Sequence, residues 1–407
     1  MPKRILVGAS CRREPQVLEA HLKTLALQQL PDGTELHLCH VDDFTPEQRN
    51  AGRVLLESYN SEILSGDSDQ MAVIDFDDKH PQTHVWQISA FERVAKNKQL
   101  IFDKAKAERY DYVWILDTDL LLEHTTLMSM YYAARPVVAG VYWTNWNAAG
   151  GQPAGPQVWL RHPYGLDGRG YQFQQFRNEL AHRELVRVYG LGACMLLETK
   201  VLDYARYWPL LPELVAAGGM MAGEDRTFCV MCEHNHIEMW ADAWPDIYHV
   251  YHTNDYANID HYVEEFSNKA DHRPLCPGYG DYVSLQIMPL EDPNIGPQAI
   301  RGRVARLGLL PEIEAAVLSM RPGERRLLSV TYPIHYPLGG TGVSGQPNSV
   351  LYPGTTKAIE LFMIDHKPFG YAPVLRDEIK LVDGTPRDTF SYTKEQCAQF
   401  RAVRPTP

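Results

Sequence analysis

The first 42 residues alternate an apolar run, a helix-period segment and a second apolar run, and that order leaves few folds open. Arg4-Ile-Leu-Val-Gly8 reads as a buried strand, and the polar turn Ser10-Cys-Arg-Arg-Glu-Pro15 follows it. Residues 16–30 carry Val17, Leu18, Leu22, Leu25 and Leu30 at helical spacing. Pro31-Asp-Gly33 is a turn, and Leu36-His-Leu-Cys-His-Val41 is a second strand that ends at Asp42-Asp43. A helix between two strands lies across the sheet and makes them parallel. The pattern therefore predicts an α/β chain built on a mostly parallel sheet flanked by helices.

The same reading extends down the chain. Residues 45–66 look helical, and Val73-Ile-Asp-Phe76 reads as a short strand. Residues 89–109 form a basic amphipathic helix with Phe91, Val94, Leu100, Ile101 and Ala105 inward. Tyr112-Val-Trp-Ile-Leu116 is uninterrupted and apolar, as a central strand should be. Pro136–Tyr142 gives another strand, and residues 144–184, rich in Gly, Pro, Gln and aromatics, read as a long loop region. Arg187–Val188 and Leu191–Leu197 frame a Gly-rich segment, and residues 199–207 read as a short helix. Gly223-Glu-Asp225 opens a helix through His234, and strands follow at Ile237–Ala241 and Ile247–His252. Beyond residue 270 the composition shifts. Residues 273–300 read as Pro-rich and irregular, and residues 301–320 as helical. Short runs at Leu327–Tyr332, Ala358–Ile364 and Glu378–Val382 predict a small β-rich C-terminal domain. The expected division is a catalytic domain over 1–270, a Pro-rich linker and helix over 271–320, and the β-rich domain over 321–407.

Bulk properties narrow the classes of function. With 407 residues and 44% hydrophobic composition the chain can bury a large core. A net charge of -12 argues against a protein that coats nucleic acid, because phosphate binding draws on Lys and Arg. No stretch of about 18 apolar residues occurs, so no stable membrane insertion is expected. The seven cysteines show no framework spacing, which predicts a reduced, cytoplasmic setting.

The chemistry concentrates in three places. Asp117-Thr118-Asp119 puts two carboxylates just past the strand Tyr112–Leu116, in the crevice where open α/β sheets bind ligands. Mg²⁺ or Mn²⁺ favours such oxygen donors and bridges them to a diphosphate. Glu224-Asp225 starts a helix, where the dipole favours a carboxylate, and Asp225 is the first choice for a general base with Glu224 as the alternative. His249 or His252 could supply an imidazole to the metal begun by Asp119.

The order strand–Asp-x-Asp, Gly-Ala-Cys-Met-Leu-Leu, Gly-Glu-Asp and a late His resembles the GT-A (Rossmann-like) glycosyltransferases, in particular bacterial proteins similar to glycosyltransferase family 2. The resemblance spans roughly residues 3–255. It implies a nucleotide-sugar donor, with a UDP-sugar the first choice, and a Mn²⁺ or Mg²⁺ ion. It implies that Asp117 contacts the ribose or the metal, that Asp119 ligates the metal, that Asp225 is the base of an inverting enzyme, and that His249 joins the metal or the pyrophosphate. By the same resemblance Ser10 and Arg12 touch the nucleobase and diphosphate, Asp42 or Asp43 reads the uracil, and Arg93 and Asn97 lie beside the nucleotide with Thr118.

Trp143, Trp146, Trp159, Tyr142 and Tyr171 cluster near the expected acceptor side, where aromatic faces stack on sugars or bases. The expected acceptor is a saccharide, a lipid-linked sugar or a protein. A modified base in DNA is an alternative, as is a nucleotidyltransferase on a similar sheet or a scaffold that keeps the fold without the activity. The absence of G-x-x-x-x-G-K-[ST] argues against most nucleotidyltransferases built on a phosphate loop.

Overall fold

The computed structural model describes residues 2–66, 88–144, 155–159, 180, 185–218, 222–271, 282–290, 297–303, 311–331 and 356–367. Strand β1 (Lys3–Cys11) is buried from Ile5 to Ala9. Helix α1 (Pro15–Ala26) opens on a proline, which has no N–H to leave unpaired at a helix start. It buries Val17, Leu18, Leu22 and Leu25, and it stops before Leu30, which is exposed. Strand β2 (Thr34–Asp42) returns parallel to β1, with Ile5 opposite Leu36. The helix expected over 45–66 is shorter: α2 (Pro46–Ser58) ends at a turn where Asn60 takes a φ of 55°, and β3 (Glu62–Ser65) then pairs parallel with β2. Asparagine tolerates that left-handed turn, and the turn breaks the helix.

Helix α3 (Ile88–Ala107) leads to β4 (Tyr112–Leu116), which lies parallel to β1 on its other side. Next come β5 (Leu120–Leu122), α4 (Thr126–Tyr132), β6 (Val137–Gly140), β7 (Trp143–Thr144), β8 (Gly155–Pro156), β9 (Val158–Trp159), β10 (Leu185–Val188), β11 (Gly190–Leu191) and β12 (Cys194–Glu198). A 3-10 turn at Thr199–Asp203 stands where residues 199–207 read as helical. Helices α5 (Pro212–Ala217) and α6 (Glu224–His234), strands β13 (Met239–Asp242) and β14 (Ile247–His249), and helix α7 (Ile259–Asp271) complete this part. The main sheet runs β10-β13-β6-β12-β4-β1-β2-β3. Four of its seven pairings are parallel, and β12 runs antiparallel between β4 and β6. The chain is thus α/β, with a large mixed, mostly parallel sheet flanked by helices.

Period-2 alternation sends neighbouring strand residues to opposite faces. Leu6, Val113 and Ile115 join Phe91, Ile101, Phe102 and Phe228 on one face, while Ile5, Val7 and Trp114 join Leu18, Leu22 and Leu127 on the other. A Cβ on Gly8 would stand 2.3 Å from Ile101 Cγ2, so α3 packs directly on the backbone of β1.

A second sheet corrects the reading of residues 273–320. Strands β15 (Tyr282–Pro289) and β16 (Gln298–Arg303) form where an irregular segment and the start of a helix were expected. Val283-Ser-Leu-Gln-Ile287 alternates apolar and polar with period 2, a strand signal set among prolines. Helix α8 (Pro311–Val317) is the helical remainder, followed by β17 (Arg325–Thr331) and β18 (Thr356–Lys367). The four strands are antiparallel in the order β16-β15-β18-β17. Ile313 and Val317 pack on Val283, Leu285, Ile359 and Leu361. The sheet meets α4 where the Tyr132 and Phe362 rings lie 4.5 Å apart and Gln286 Nε2 donates to the Tyr132 carbonyl at 3.1 Å.

The strand read at Val73–Phe76, that at Glu378–Val382, most of the loop region 144–184, and Trp146 and Tyr171 lie outside the described residues. Among the described residues no helix is long and apolar enough to cross a membrane.

Candidate active site

Strand β4 ends at Leu116, and the chain turns through Asp117, Thr118 and Asp119 into β5. Two main-chain bonds hold this turn. Asp117 N donates to the Ala193 carbonyl at 3.2 Å, and Val250 N donates to the Asp119 carbonyl at 2.9 Å. Strand β5 pairs with β14, with Leu120 opposite His249. That ladder sets His249 Nε2 3.5 Å from Asp119 Oδ2. Thr118 is buried.

The imidazole is fixed from its other side. His249 Nδ1 lies 2.8 Å from Thr144 Oγ1, and Gln157 Nε2 donates to the same hydroxyl at 2.8 Å. Tyr142 packs edge-on against the ring at 5.0 Å, and its hydroxyl accepts from Ala193 N at 3.2 Å. His252 lies three residues further on and is buried. It precedes the 3-10 turn Thr253–Asn258, its carbonyl accepts from Asp255 N at 2.9 Å, and its own N–H donates to Asp255 Oδ2 at 2.6 Å.

A buried lysine stands at the centre. Lys98, on the inner face of α3, has 1% of its side chain exposed. Its ammonium donates to Glu224 Oε1 at 2.8 Å and to Asp225 Oδ1 at 3.2 Å, and it lies 3.5 Å from Asp117 Oδ1. Tyr207 lies beneath it, ring centroid 5.4 Å away. Burial alone lowers the Lys98 pKa, but Asp117, Asp225 and Glu224 together hold it well above the ordinary value, so it stays charged. Helix α6 begins at Glu224, directly after Gly223, so both its acidic residues sit in the first turn. Burial pushes the Asp225 carboxyl up to about 7, against the pull of Lys98 and with the help of Glu224 and Asp117. Burial also raises Asp117, again opposed by Lys98.

A second cluster lies at the end of β1 and β2. Arg93 and Asn97, one turn apart on α3, are both buried. Asn97 Nδ2 donates to Ser10 Oγ at 3.0 Å, and Ser10 Oγ lies 3.5 Å from Asp43 Oδ2. Arg93 Nε donates to the same Asp43 oxygen at 3.2 Å, and Arg12 Nη1 lies 3.7 Å from Asp43 Oδ1. Burial raises the Asp43 carboxyl, opposed by Arg93 and Arg12. Asn97 Oδ1 is buried with no hydrogen-bond partner among the described residues. Asp42 stands apart: it is held by α2, with Arg53 Nε at 2.7 Å and Arg49 Nε at 3.4 Å. Of the two carboxylates that end β2, Asp43 is the one that meets Ser10, Arg12 and Arg93.

The structure thus brings Asp117, Glu224 and Asp225 around one ammonium, sets Asp119 beside His249, and gathers Ser10, Arg12, Arg93 and Asn97 around Asp43. Sequence reasoning missed Lys98 and Arg13. Lys98 had a signal: it occupies an apolar position in the series Phe91, Ala95, Lys98, Phe102, Ala105, all buried. Arg13, whose guanidinium pairs with Asp119, had none that separates it from Arg12.

Two carboxylates and an imidazole make a donor set that suits Mn²⁺ or Mg²⁺, and a histidine fixed through its second nitrogen is typical of a ligating one. Among the described residues no three His, Cys, Asp or Glu side chains converge closely enough to hold a metal ion by themselves. Lys98 and Arg13 instead stand on the carboxylates.

No protein-family model matches the chain, and no curated protein matches it. Among solved structures, residues 1–349 of S. aureus TarS are similar at 14% identity, covering 66% of this chain and 67% of that one, with a TM-score of 0.36. The same protein is also recorded in complex with UDP, at the same values. The mannosyltransferase PcManGT from Pyrobaculum calidifontis, in complex with GDP-Man and Mn²⁺, is similar at 13% identity, covering 60% of this chain and 57% of that one, with a TM-score of 0.32. Likenesses this distant assign the chain neither a family nor a function.

Proposed function

We propose that the chain is a glycosyltransferase that moves a sugar from a nucleotide-sugar donor, first choice a UDP-sugar, to an acceptor hydroxyl with inversion. The observation that carries this reading is the cluster at Lys98. A single buried ammonium joins Asp117, at the end of a central strand, to Glu224 and Asp225 at a helix start far along the chain. On this reading the donor-side and acceptor-side carboxylates meet at one ammonium.

Asp225 is placed as the general base. A carboxylate with a raised pKa is matched to taking a proton near neutral pH. The acceptor O–H proton passes to Asp225 while the hydroxyl oxygen attacks the anomeric carbon. The bond from that carbon to the diphosphate oxygen breaks, and its electron pair leaves with the nucleoside diphosphate. Lys98 keeps Asp225 and Glu224 in place as a positioning residue. Asp117, Asp119 and His249 are the residues that would hold Mn²⁺ or Mg²⁺, which when bound supplies countercharge to the leaving diphosphate. The Asp43 cluster with Ser10, Arg12, Arg93 and Asn97 is assigned to the nucleoside. Saccharide, lipid-linked and protein acceptors all fit this chemistry.

The test is a panel of UDP- and GDP-sugars, with Mn²⁺, Mg²⁺ or EDTA, followed by thermal unfolding and donor hydrolysis. At about 100 times Kd a ligand stabilises the fold by about 2.7 kcal/mol. One donor is expected to raise the melting temperature with metal present, and Asp119→Ala is expected to lose the shift. A flat response to every nucleotide sugar would overturn the reading.

A further inference from the structure

The turn after β1 carries two adjacent arginines that face opposite ways. Arg12 turns to Asp43, and Arg13 turns to Asp119. The Arg13 guanidinium sits on Asp119 Oδ2, the same oxygen that lies 3.5 Å from His249 Nε2. Asp119 and its neighbour His249 are both fixed by main chain. Val250 N holds the Asp119 carbonyl, and the β5–β14 ladder holds His249. Arg13 is held differently, by the tip of a long side chain on a turn. The neighbouring Glu14 accepts a hydrogen bond from Tyr256 at 2.5 Å, which ties that turn to the segment following β14.

One carboxylate oxygen cannot serve a guanidinium and a divalent cation at full strength, because the two positive charges repel at contact distance. Arginine stays charged at any working pH, so it cannot withdraw by losing a proton. It must move. Its planar fork is also suited to bidentate contact with a phosphate, the group that a nucleotide donor would bring to this crevice.

We infer that Arg13 is an exchangeable counter-ion, holding Asp119 until a divalent cation displaces it and then binding the donor's diphosphate. The inference rests on the transferase reading above. It makes cation and nucleoside diphosphate bind cooperatively. The cation alone must break the Arg13–Asp119 pair, whereas the diphosphate offers the released guanidinium a new partner. Coupling of this kind is reciprocal, and factors of roughly 5–150 are usual.

The experiment measures Mn²⁺ binding by the loss of the free-ion paramagnetic resonance signal, with no nucleotide and with UDP or GDP, on the full chain. Arg13→Gln keeps a polar side chain of moderate length and removes the charge, and Arg13→Lys keeps the charge as a control. The expected result is that Arg13→Gln binds Mn²⁺ alone about tenfold more tightly than wild type. Arg13→Lys should stay within a few-fold of wild type, and Asp119→Asn should lose the gain. Arg13→Gln should also bind UDP or GDP more weakly in the presence of Mn²⁺, so that cation and nucleotide help each other less than in wild type. Equal Mn²⁺ affinity in wild type and Arg13→Gln, with nucleotide binding intact, would overturn the exchange while leaving the transferase reading standing. Wild type that binds neither Mn²⁺ nor any nucleoside diphosphate would instead overturn the reading itself and the exchange with it. Thermal unfolding of each variant confirms that the comparison is between folded proteins.

Discussion

At the scale of single residues, the balance of charge around Lys98 decides how the site behaves. Asp225, raised from the ordinary 3.8 to about 7, is protonated at mildly acid pH. Activity that depends on it as a base should rise through about pH 7, falling about tenfold per unit below that. Asp225→Asn should lower kcat by a factor of roughly 10² to 10⁴ and remove the rising limb, whereas a pH-independent rate in wild type would exclude the role. The same shift has a stability sign. A carboxyl whose folded pKa is raised binds its proton more tightly in the folded state, so its contribution declines as pH climbs from 3.8 towards about 7. Lys98→Met removes a cation shared by three carboxylates. The loss of a buried ion-pair partner costs about 3–5 kcal/mol, and urea unfolding at pH 8 should show it. At pH 5, where Asp117 and Asp225 take up protons more readily, the cost should shrink. An equal cost at both values would mean that Lys98 acts only as packing. The acidic members of this cluster were legible because carboxylates two apart after a strand, and adjacent at a helix start, are local patterns. Lys98 had only its place in an apolar series to mark it, and a lysine on a basic helix reads as solvent-facing until the partners that neutralise it are known.

At the scale of elements, the close approach of α3 to β1 sets the depth of the site. Gly8 allows it. A methyl group at this position would meet Ile101, a branched side chain in a fully buried setting. Gly8→Ala should therefore destabilise the fold by about 1–3 kcal/mol. It should also weaken any ligand held by Asn97 and Lys98, which ride on the same helix. Urea titration measures the first effect, and a change smaller than about 0.5 kcal/mol would show that the helix adjusts freely. Among the described residues of the first 270, most strands and helices follow their apolar periods, although Leu100, expected on the inner face of its helix, is exposed. The disagreements have local causes. Asn60 ends a helix whose apolar spacing continued past it, and prolines around Val283–Ile287 masked an alternation that forms a strand. Sheet order was not legible at all. The antiparallel placement of β12 between β4 and β6 depends on contacts among segments far apart in the chain.

At the scale of the whole molecule, the site gathers side chains from the turn after β1, from α3, from the turn after β4, from α6 and from β14. The second sheet docks on α4 through Tyr132 and Phe362. Few of these encounters are between neighbours in sequence. The bond from Lys98 to Glu224 spans 126 residues. A ribosome adding about 5–20 residues per second needs roughly 6–25 s to make that stretch. Through that interval the Lys98 ammonium has been synthesised and Glu224 and Asp225 have not. Of its three carboxylate partners only Asp117 is then present, and an ammonium short of countercharge is costly to bury, so α3 packs less firmly on β1 until Glu224 and Asp225 arrive. Full closure over Phe91, Ile101 and Phe102 waits for a helix start that emerges much later. The buried lysine that organises the finished site thus ties the closing of an early helix-on-strand layer to a segment made much later.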